Sequence, residues 1–330
     1  MSKPSFLRVA AWILTQRVLA RPFRKKTPPA PSVEVDVERL RQRPEGIQAT
    51  WIGHATMYVQ TPDVDVLFDP VFSRIAGPLS FAGPDRRSAL PIDIATLPKV
   101  DFVLISHDHY DHLDKASITR LSAQFDPVFV VPIGLGSYVR EWGGRRVAEL
   151  DWWQYVDVPA PESGRAVYRF TCAPAVHDSG RRVGAFNRTL WSGWYVERLA
   201  PNQKELPLKI FYAGDTAYGP HFSEIHERME LPDVAILPIG AYAPRSMTAA
   251  SHMTPEEAVQ AFIDLGGASQ DAAGRAPDLL PVHWGTFELT DEPLDEPPVR
   301  LTAAAESAGV QDQVHILGIG QRHQRALTQR

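Results

Sequence analysis

The chain has 330 residues, of which 44% are hydrophobic and 22% are charged. These fractions are ordinary for globular proteins, so they exclude a largely disordered chain and predict a sizeable buried core. The formal net charge of −5 at pH 7 offers no basic field for a nucleic-acid backbone, so a nucleic-acid partner is disfavoured. The single cysteine, Cys172, cannot form an internal disulfide and is predicted to be a core residue in the strand-like run YRFTCAPAV.

Residues 1–26 carry the pattern of a basic amphipathic helix, with Phe6, Val9 and Ile13 among the apolar residues at helical spacing. The uncharged run that begins at Val9 is eight residues long, whereas a membrane-spanning helix needs ~20 apolar residues. The segment is therefore expected to lie on a membrane surface, to pack on a partner subunit in a homo-oligomer, or to dock on the domain itself. No clear small-x-small cleavage site follows, so secretion is disfavoured and the expected location is the cytoplasm or a peripheral membrane surface.

A Pro-rich linker over residues 27–43 precedes the main domain, which is expected to span residues 44–330. The runs IQATWIGHATMYVQ and VDVLFDPVF alternate β-branched and aromatic residues around a TPD turn, which predicts two strands in a hairpin. The apolar runs VDFVLIS and PVFVVPI flank the helical pattern LDKASITRLSAQF and predict a strand–helix–strand unit.

The second half of the domain continues this mixture of strands and helices. Strands are predicted at VYRFTCAPAV, LWSGWYVERL, LKIFYAGD, VAILPI, DLLPVHWG and VHILGIG. A helix is predicted at TPEEAVQAFIDLG, where Thr254 is the N-cap and Glu257 completes a capping box. Because both halves carry strands and helices, the sequence predicts an α/β fold with two sheets packed together and covered outside by helices.

The stretch SHDHYDHLD places three histidines and three aspartates directly after the apolar run VDFVLI. A strand that ends just before the motif delivers His107 and His109 two positions apart, so both side chains can point to one side and share a metal ion. Asp111 and His112 follow where the chain turns into the next helix, which would aim them at a second metal ion nearby. The pattern His-x-His-x-Asp-His therefore predicts a metal site, and a polar loop without a metal is the alternative.

Three later strand ends supply further candidate ligands, which are His177, Asp215 and His283. Each lies at the carboxyl end of an apolar run, where open α/β folds place their ligands. With one cysteine in the chain, zinc would be held by histidines and carboxylates, and Asp215 can bridge two ions because a carboxylate has two oxygens. Taken singly, each of the three has a core or surface role as its alternative. Four other histidines are expected at the surface without a role in the site: His221, His226, His315 and His323.

Several blocks of the sequence resemble the metallo-β-lactamase superfamily, and within it the branch that contains N-acyl-phosphatidylethanolamine-hydrolysing phospholipase D. The His-x-His-x-Asp-His motif is common to the di-zinc hydrolases of this superfamily. The blocks WIGHAT, DPVFSRIAGP, FNRTLWSGW, FYAGDTAYG, LPIGAYAPR, HMTPEEAV and VHWGTF are similar to that branch and run in its order from Trp51 to Phe287. The resemblance implies a four-layer αβ/βα sandwich, in which two central mixed sheets are flanked by helices.

The resemblance also implies which residues hold which metal ion. The family's ligands correspond to two groups joined by a bridging carboxylate: His107, His109 and His177 for one zinc ion, Asp111, His112 and His283 for the other, and Asp215 as the bridge. His252 in HMTPEEAV corresponds to a family histidine near the catalytic centre, suited to contacting phosphate or the leaving group. From the residues alone, a helix-capping role for His252 is the alternative. His54 in GHAT matches another family position, and no role is assigned to it.

The expected reaction is hydrolysis of N-acyl-phosphatidylethanolamine, a phospholipid, to phosphatidic acid and an N-acylethanolamine. Two zinc ions would lower the pKa of a bound water to ~7 and offset charge on the phosphoryl oxygens, while Asp111 would orient that water or accept its proton. Hydrolysis of another ester, a lactone, a lactam or a small phosphodiester is the first alternative, and iron or manganese could replace zinc. A non-catalytic metal-binding scaffold is the alternative from another class, and the complete set of seven ligands argues against it.

Overall fold

The structure is a computed structural model that describes residues 27–79, 81, 83–161, 164, 166–181, 184–199, 207–271 and 274–326. The amphipathic helix expected over residues 1–26 lies outside the described residues, so its contacts with a membrane, a second subunit or the domain stay predictions. Among the residues that are described, no helix has the length and apolar character needed to cross a membrane.

Two mixed sheets are formed by the strands of the described chain. In chain order these strands are β1 Ile47–Gly53, β2 Thr56–Gln60, β3 Asp65–Phe68, β4 Phe102–Leu104, β5 Val128–Pro132, β6 Arg146–Leu150, β7 Tyr155–Pro159, β8 Val167–Ala173, β9 Gly193–Leu199, β10 Leu208–Tyr212, β11 Val234–Pro238, β12 Asp278–Val282 and β13 Arg322–Arg325. The first sheet has the order β13-β1-β2-β3-β4-β5-β6, and the second has the order β12-β11-β10-β9-β8-β7. Strands β3 to β6 run parallel, as do β10 to β12, whereas the remaining pairs are antiparallel.

Helices connect and flank these strands. They are α1 Val37–Leu40, α2 Lys115–Phe125, α3 Gly136–Glu141, α4 His221–Arg228, α5 Arg245–Thr248, α6 Pro255–Asp264 and α7 Glu296–Ala308, with short 3-10 helices at Ile94–Thr96 and Gln311–Gln313. The helix α2 joins the parallel strands β4 and β5, which confirms the predicted strand–helix–strand unit. The capping box at the start of α6 is also confirmed, because the Thr254 hydroxyl accepts from the Glu257 amide and the Glu257 carboxylate accepts from the Thr254 amide.

Large aromatic side chains fill the space between the two sheets. Phe68 of β3 stacks on Tyr212 of β10 with ring centroids 4.8 Å apart, and Phe102 of β4 contacts Phe170 of β8 at 4.6 Å. All four are buried, and each pair joins one sheet to the other. Because the two inner faces pack on each other and helices flank the sheets, the predicted α/β sandwich with two central mixed sheets is confirmed.

Three local predictions differ from the structure. The run IQATWIGHATMYVQ forms two strands rather than one, because Gly53 and His54 adopt positive φ values of 120° and 53° and reverse the chain. The predicted strand VHILGIG is wrong: Val314 and Ile319 make only isolated bridges, and a regular strand follows at β13. Its glycines weaken strand formation, and Gly320 has a φ of 85°. The edge strands β6 and β7 were not predicted, since both carry exposed or half-exposed residues instead of an apolar run.

The expected linker and the cysteine each have a defined place. Within residues 27–43, the Ala30 amide donates to the Gly285 carbonyl at 2.9 Å, and Leu40 in α1 is buried. Part of this segment therefore packs on the domain, while the boundary at residue 44 stays a prediction.

Cys172 is buried in β8 as predicted, and burial raises the pKa of its thiol to about 12.

A buried carboxylate at the start of β12 ties the C-terminal strand to the second sheet. Oδ2 of Asp278 accepts from Nε2 of His323 at 2.8 Å, and Oδ1 accepts from Nη1 of Arg325 at 2.8 Å. Nε2 of His315 lies 3.3 Å from the same Oδ1. Burial acts to raise the pKa of Asp278, but the two histidines and Arg325 outweigh it and hold that pKa below its usual range.

Asp278→Asn is expected to lower the free energy of unfolding by about 2 kcal/mol at pH 7, because it removes the negative charge from a buried ion-pair cluster. A carboxyl group whose pKa is lowered by folding stabilises the protein above its unfolded pKa of ~3.9, and this contribution is lost as the pH falls toward the folded-state pKa. The difference between wild type and variant should therefore shrink below pH ~4. Urea unfolding at pH 7 and at acidic pH measures both quantities.

The matched control is Asp157→Asn, which removes an exposed carboxylate that pairs with Arg169 in the same sheet. We expect it to cost less than about 1 kcal/mol, because exposed ion pairs contribute little. An equal loss in the Asp278 variant at neutral and acidic pH would contradict the assignment of the stabilisation to the ionised carboxylate.

Candidate metal centre

The predicted ligands come together where strands of both sheets end. The loop with the His-x-His-x-Asp-His motif follows β4, while His177, Asp215 and His283 follow β8, β10 and β12. Gly214 has a φ of 61°, and a Cβ on it would lie 2.6 Å from Cβ of Ser106. Glycine is needed here because a larger residue would separate the end of β10 from the motif loop.

Three imidazoles form one group of donors. Nε2 of His107 lies 2.9 Å from Nδ1 of His109, and Nε2 of His177 lies 3.2 Å from the same Nδ1. One ring nitrogen from each of the three residues lies within 4.8 Å of those of the other two. Nδ1 of His177 is 2.8 Å from the Ser251 carbonyl oxygen, which directs its Nε2 toward the group. These are the residues predicted to share the first metal ion.

A second group combines a carboxylate with imidazoles. Oδ2 of Asp111 lies 3.6 Å from Nε2 of His283 and 3.7 Å from Nε2 of His112. These are the three residues predicted to share the second metal ion. A fourth side chain joins them, since Nε2 of His54 is 3.0 Å from the same oxygen of Asp111.

Asp215 lies between the two groups. Its Oδ2 is 3.1 Å from Nε2 of both His112 and His283. The same oxygen is 4.0 Å from Nε2 of His107 and 3.9 Å from Nε2 of His177. The structure therefore brings all seven predicted ligands together, with Asp215 in the position expected of a bridging carboxylate.

Unsatisfied polar atoms indicate that this cluster fits a metal ion. Nε2 of His112, Nε2 of His283 and Oδ1 of Asp215 are buried and make no hydrogen bond among the described residues. The short separations from Asp215 lie outside hydrogen-bonding geometry, so these polar atoms converge without satisfying one another. Buried polar atoms are rarely left unpaired, whereas a divalent ion accepts several imidazole and carboxylate donors at once. The donor set present fits a centre for two such ions.

The surroundings of four side chains in the cluster shift their pKa values and so determine which of them are charged at pH 7. Burial acts to raise the pKa values of Asp111 and Asp215, but the neighbouring histidines, His112 first, outweigh it and hold both pKa values well below the usual range. Burial instead lowers the pKa of His107, and it lowers the pKa of His177 to about 4. The carboxylates are therefore ionised and these two imidazoles are neutral at pH 7, which are the forms that bind metals.

Asp69 orients a predicted ligand, and the sequence reasoning missed it. Its Oδ2 accepts from Nδ1 of His112 at 2.7 Å and from the Tyr212 hydroxyl at 2.6 Å, while its Oδ1 accepts from the Ser106 amide at 2.7 Å. The contact leaves Nε2 of His112 facing Asp215 and the other donor side chains, an orientation that outer carboxylates give to metal-binding histidines. Asp69 directly follows the buried strand β3, so the rule that found Asp215 would have found it as well.

His252, the second predicted catalytic residue, borders the cluster. Its Nδ1 is buried, makes no hydrogen bond among the described residues and lies 3.9 Å from Oδ2 of Asp215. Its ring contacts His177 edge-on with centroids 5.0 Å apart. Thr254 is the N-cap of α6, so the capping role considered for His252 is not what the structure shows.

Three of the remaining histidines differ from their predicted surface positions. His221 is buried, and burial lowers its pKa to about 4. His315 and His323 are partly buried beside Asp278, whereas His226 is exposed as expected. None of the four belongs to the donor groups around Asp215.

A two-sheet α/β fold with imidazole and carboxylate donors gathered at its strand ends defines a metal-dependent hydrolase of the β-lactamase type. The chain belongs to this superfamily, because the family described as "Beta-lactamase superfamily domain" matches residues 65–284.

Two relatives and one solved structure illustrate the similarity. An uncharacterised protein of Mycobacterium tuberculosis is 37% identical over 302 residues, which cover 91% of this chain and 74% of that protein. N-acyl-phosphatidylethanolamine-hydrolyzing phospholipase D 1 of Caenorhabditis elegans is 34% identical over 251 residues, which cover 74% of this chain and 65% of that protein. The metallo hydrolase Igni18 of Ignicoccus hospitalis has a TM-score of 0.59 at 21% identity, covers 84% of this chain and 97% of its own, and shows the shared fold.

Proposed function

We propose that the protein is a di-zinc phosphodiesterase of the phospholipase D type that hydrolyses N-acyl-phosphatidylethanolamine. The observation that carries the proposal is the position of Asp215, whose Oδ2 lies 3.1 to 4.0 Å from ring nitrogens of four histidines in the two donor groups. One carboxylate between two groups is the arrangement needed to hold two ions about 3.5–4 Å apart, the spacing of two-metal phosphoesterase sites. The similarity to the nematode phospholipase D supports the choice of substrate.

Two zinc ions in this centre would lower the pKa of water and offset the charge that develops on the phosphoryl oxygens. The protein's own contribution begins with Asp111. Its carboxylate is ionised and only 14% exposed, so Oδ1 or Oδ2 can orient the attacking water and accept its proton. His252 borders the opposite donor group, with 17% of its side chain exposed. From there its ring can donate a hydrogen bond to a phosphoryl oxygen or to the leaving oxygen.

The balanced reaction adds one water across the phosphodiester. A new P–O bond forms to the water oxygen, and the P–O bond to the ethanolamine oxygen breaks. Phosphatidic acid keeps the phosphorus, and the N-acylethanolamine leaves after its oxygen takes up a proton. Neither donor group offers a free side-chain nucleophile, since both consist of imidazoles and carboxylates that would hold the ions.

The test is mass spectrometry of the products after zinc-loaded protein meets N-acyl-phosphatidylethanolamine in mixed micelles prepared in heavy-oxygen water. The proposal expects both products, with the heavy oxygen in phosphatidic acid, because attack at phosphorus transfers the water oxygen there. Label in the N-acylethanolamine would instead indicate attack at carbon. The Asp111→Asn variant provides the blank.

A negative result with protein that holds two zinc ions would overturn the substrate assignment. The same preparation is then assayed with a lactone, a lactam and a small phosphodiester, the rival substrates for this centre. Protein that takes up no metal would overturn the metal centre itself.

A further inference from the structure

His54 occupies the tight turn between β1 and β2, and its backbone is held on three sides. Its φ is 53°, in the left-handed region. The His54 amide donates to the Thr286 hydroxyl at 2.7 Å, and its carbonyl accepts from the His283 amide at 2.9 Å and from the Trp51 indole at 2.8 Å. The turn is thereby anchored to the strand end that carries a predicted metal ligand, His283.

The ring of His54 is held as firmly as its backbone. Only 1% of the side chain is exposed. The ring contacts His283, with centroids 4.1 Å apart, and Phe287, which it meets edge-on at 5.1 Å. A buried ring in contact with two other rings at these distances cannot turn without displacing its neighbours.

The contact with Asp111 determines which ring nitrogen of His54 carries the proton. Nε2 of His54 lies 3.0 Å from Oδ2 of Asp111, and an ionised carboxylate only accepts hydrogen bonds. Nε2 therefore carries the proton and donates it, which leaves Nδ1 as the bare nitrogen. Nδ1 is indeed buried and makes no hydrogen bond among the described residues.

His54 also differs from the ligands beside it. His112 and His283 each place Nε2 3.1 Å from Asp215, the carboxylate between the donor groups. The ion-pair partner of His54 among the described residues is Asp111. A donated Nε2–H cannot also bind a metal, so the geometry separates His54 from the ligands.

We propose that His54 is a positioning residue that fixes the Asp111 carboxylate and thereby sets the affinity and geometry of the second metal ion. This inference rests on the proposed two-metal centre. Without the Nε2–H donor, Asp111 could rotate about its side-chain bonds and lose the orientation that its place in the second donor group requires. Removal of an outer hydrogen-bond partner of this kind typically lowers metal affinity 10- to 100-fold.

The test compares His54→Asn with His54→Gln. The amide nitrogen of glutamine reaches close to the position of Nε2, whereas that of asparagine corresponds to Nδ1 and falls short of Asp111. Asparagine tolerates the left-handed backbone better than glutamine does. Any loss of stability caused by the left-handed backbone therefore falls on His54→Gln, which is the variant expected to keep the hydrogen bond to Asp111.

We expect His54→Asn to weaken the second zinc equivalent about 10- to 100-fold and to leave the first equivalent unchanged. His54→Gln should restore most of that loss. Competition with a chromogenic chelator measures the two affinities. The absorption of the second cobalt(II) equivalent, loaded in place of zinc, reports its coordination geometry without any substrate.

A double-mutant cycle tests whether the effect passes through Asp111. In the Asp111→Ala background, His54→Asn should cause no further loss of second-metal affinity, because the side-chain oxygens that His54 positions are gone. Additive losses in the two variants would overturn the inference and assign His54 a separate structural role.

The remaining outcomes are also decisive. If the wild-type protein takes up two ions and His54→Asn binds both with unchanged affinity, the role of His54 is overturned while the two-metal centre stands. If the wild-type protein binds fewer than two ions, the proposed two-metal centre is overturned together with the role of His54. Equal losses in the asparagine and glutamine variants overturn the hydrogen-bond argument. If His54→Asn does not fold, the glutamine variant decides: two tight sites support the inference, and a weakened second site contradicts it.

Discussion

Asp111→Asn is expected to reduce turnover about 10³-fold while most of the metal stays bound, because a positioned proton acceptor contributes 10²- to 10⁴-fold to such reactions. The asparagine amide has the shape of the carboxylate but neither its charge nor its basicity. Neighbouring histidines hold the pKa of Asp111 well below the usual range, so the wild-type group is ionised at neutral pH. The other six predicted ligands are unchanged and retain the ions. Turnover of the phosphodiester and metal content by elemental analysis are measured on the same samples.

The same loop offers a matched control in Asp108, which is as buried as the neighbouring ligand His107. Its Oδ1 accepts from the Gly180 amide at 2.8 Å, a role that an asparagine oxygen can also fill. Asp108→Asn should therefore keep most of the turnover. If Asp111→Asn turned over like wild type, or lost activity only in proportion to lost metal, Asp111 would not be the proton acceptor.

The sequence was most informative where a short motif coincides with the end of a strand. His107, His109, Asp111 and His112 are close in the chain, so their convergence needs only one strand and one loop. His177, Asp215 and His283 are distant in sequence, but each ends an apolar run. Since the carboxyl ends of parallel strands share one edge of a sheet, their meeting was predictable without knowledge of strand order.

Residues that act through other residues were harder to predict. Asp69 matters because its carboxylate meets His112, and His54 matters because its ring meets Asp111. Each of these contacts joins separate loops across more than forty positions of the chain. Asp69 ends an apolar run as Asp215 does, but a sequence pattern records the residue type and not which distant partner it faces. The contacts of Asp69 with His112 and of His54 with Asp111 therefore could not be read from the sequence.

The incorrect strand predictions have a related cause. The run VHILGIG is apolar and short, as strands are, yet no neighbour pairs with it along its length. Pairing is a property of the assembled sheet, and β13, with the polar sequence RHQR, takes the place beside β1 instead. Apolar content therefore predicted the buried strands well, including the edge strand β12, and the less buried edge strands β6, β7 and β13 poorly, because a strand with an exposed face needs fewer apolar residues.

His252→Gln is expected to lower turnover about 10²-fold with both metal ions retained, because one hydrogen-bond donor to a developing oxyanion typically contributes that much. Burial lowers the pKa of His252 to about 3, so the imidazole is neutral at pH 7 and acts as a donor rather than as a cation. Its Nδ1 lies 3.9 Å from Asp215, farther than the 3.1 Å of His112 and His283. The predicted ligands His107 and His177 lie equally far from that oxygen, at 4.0 and 3.9 Å, so the measured metal content of the variant is what separates a substrate contact from a bond to metal.

His221→Gln is the matched control for this variant. His221 is likewise buried with a pKa lowered by burial, but its Nε2 lies 3.1 Å from the Thr216 hydroxyl rather than beside the donor groups. Its replacement should reduce stability more than turnover. A His252 variant that lost one metal equivalent together with its activity would make His252 a ligand of the group that contains His177 and Asp215. Loss of turnover with two ions bound at wild-type affinity would instead assign it to the substrate, because loss of an imidazole ligand weakens the binding of an ion whereas loss of a substrate contact does not.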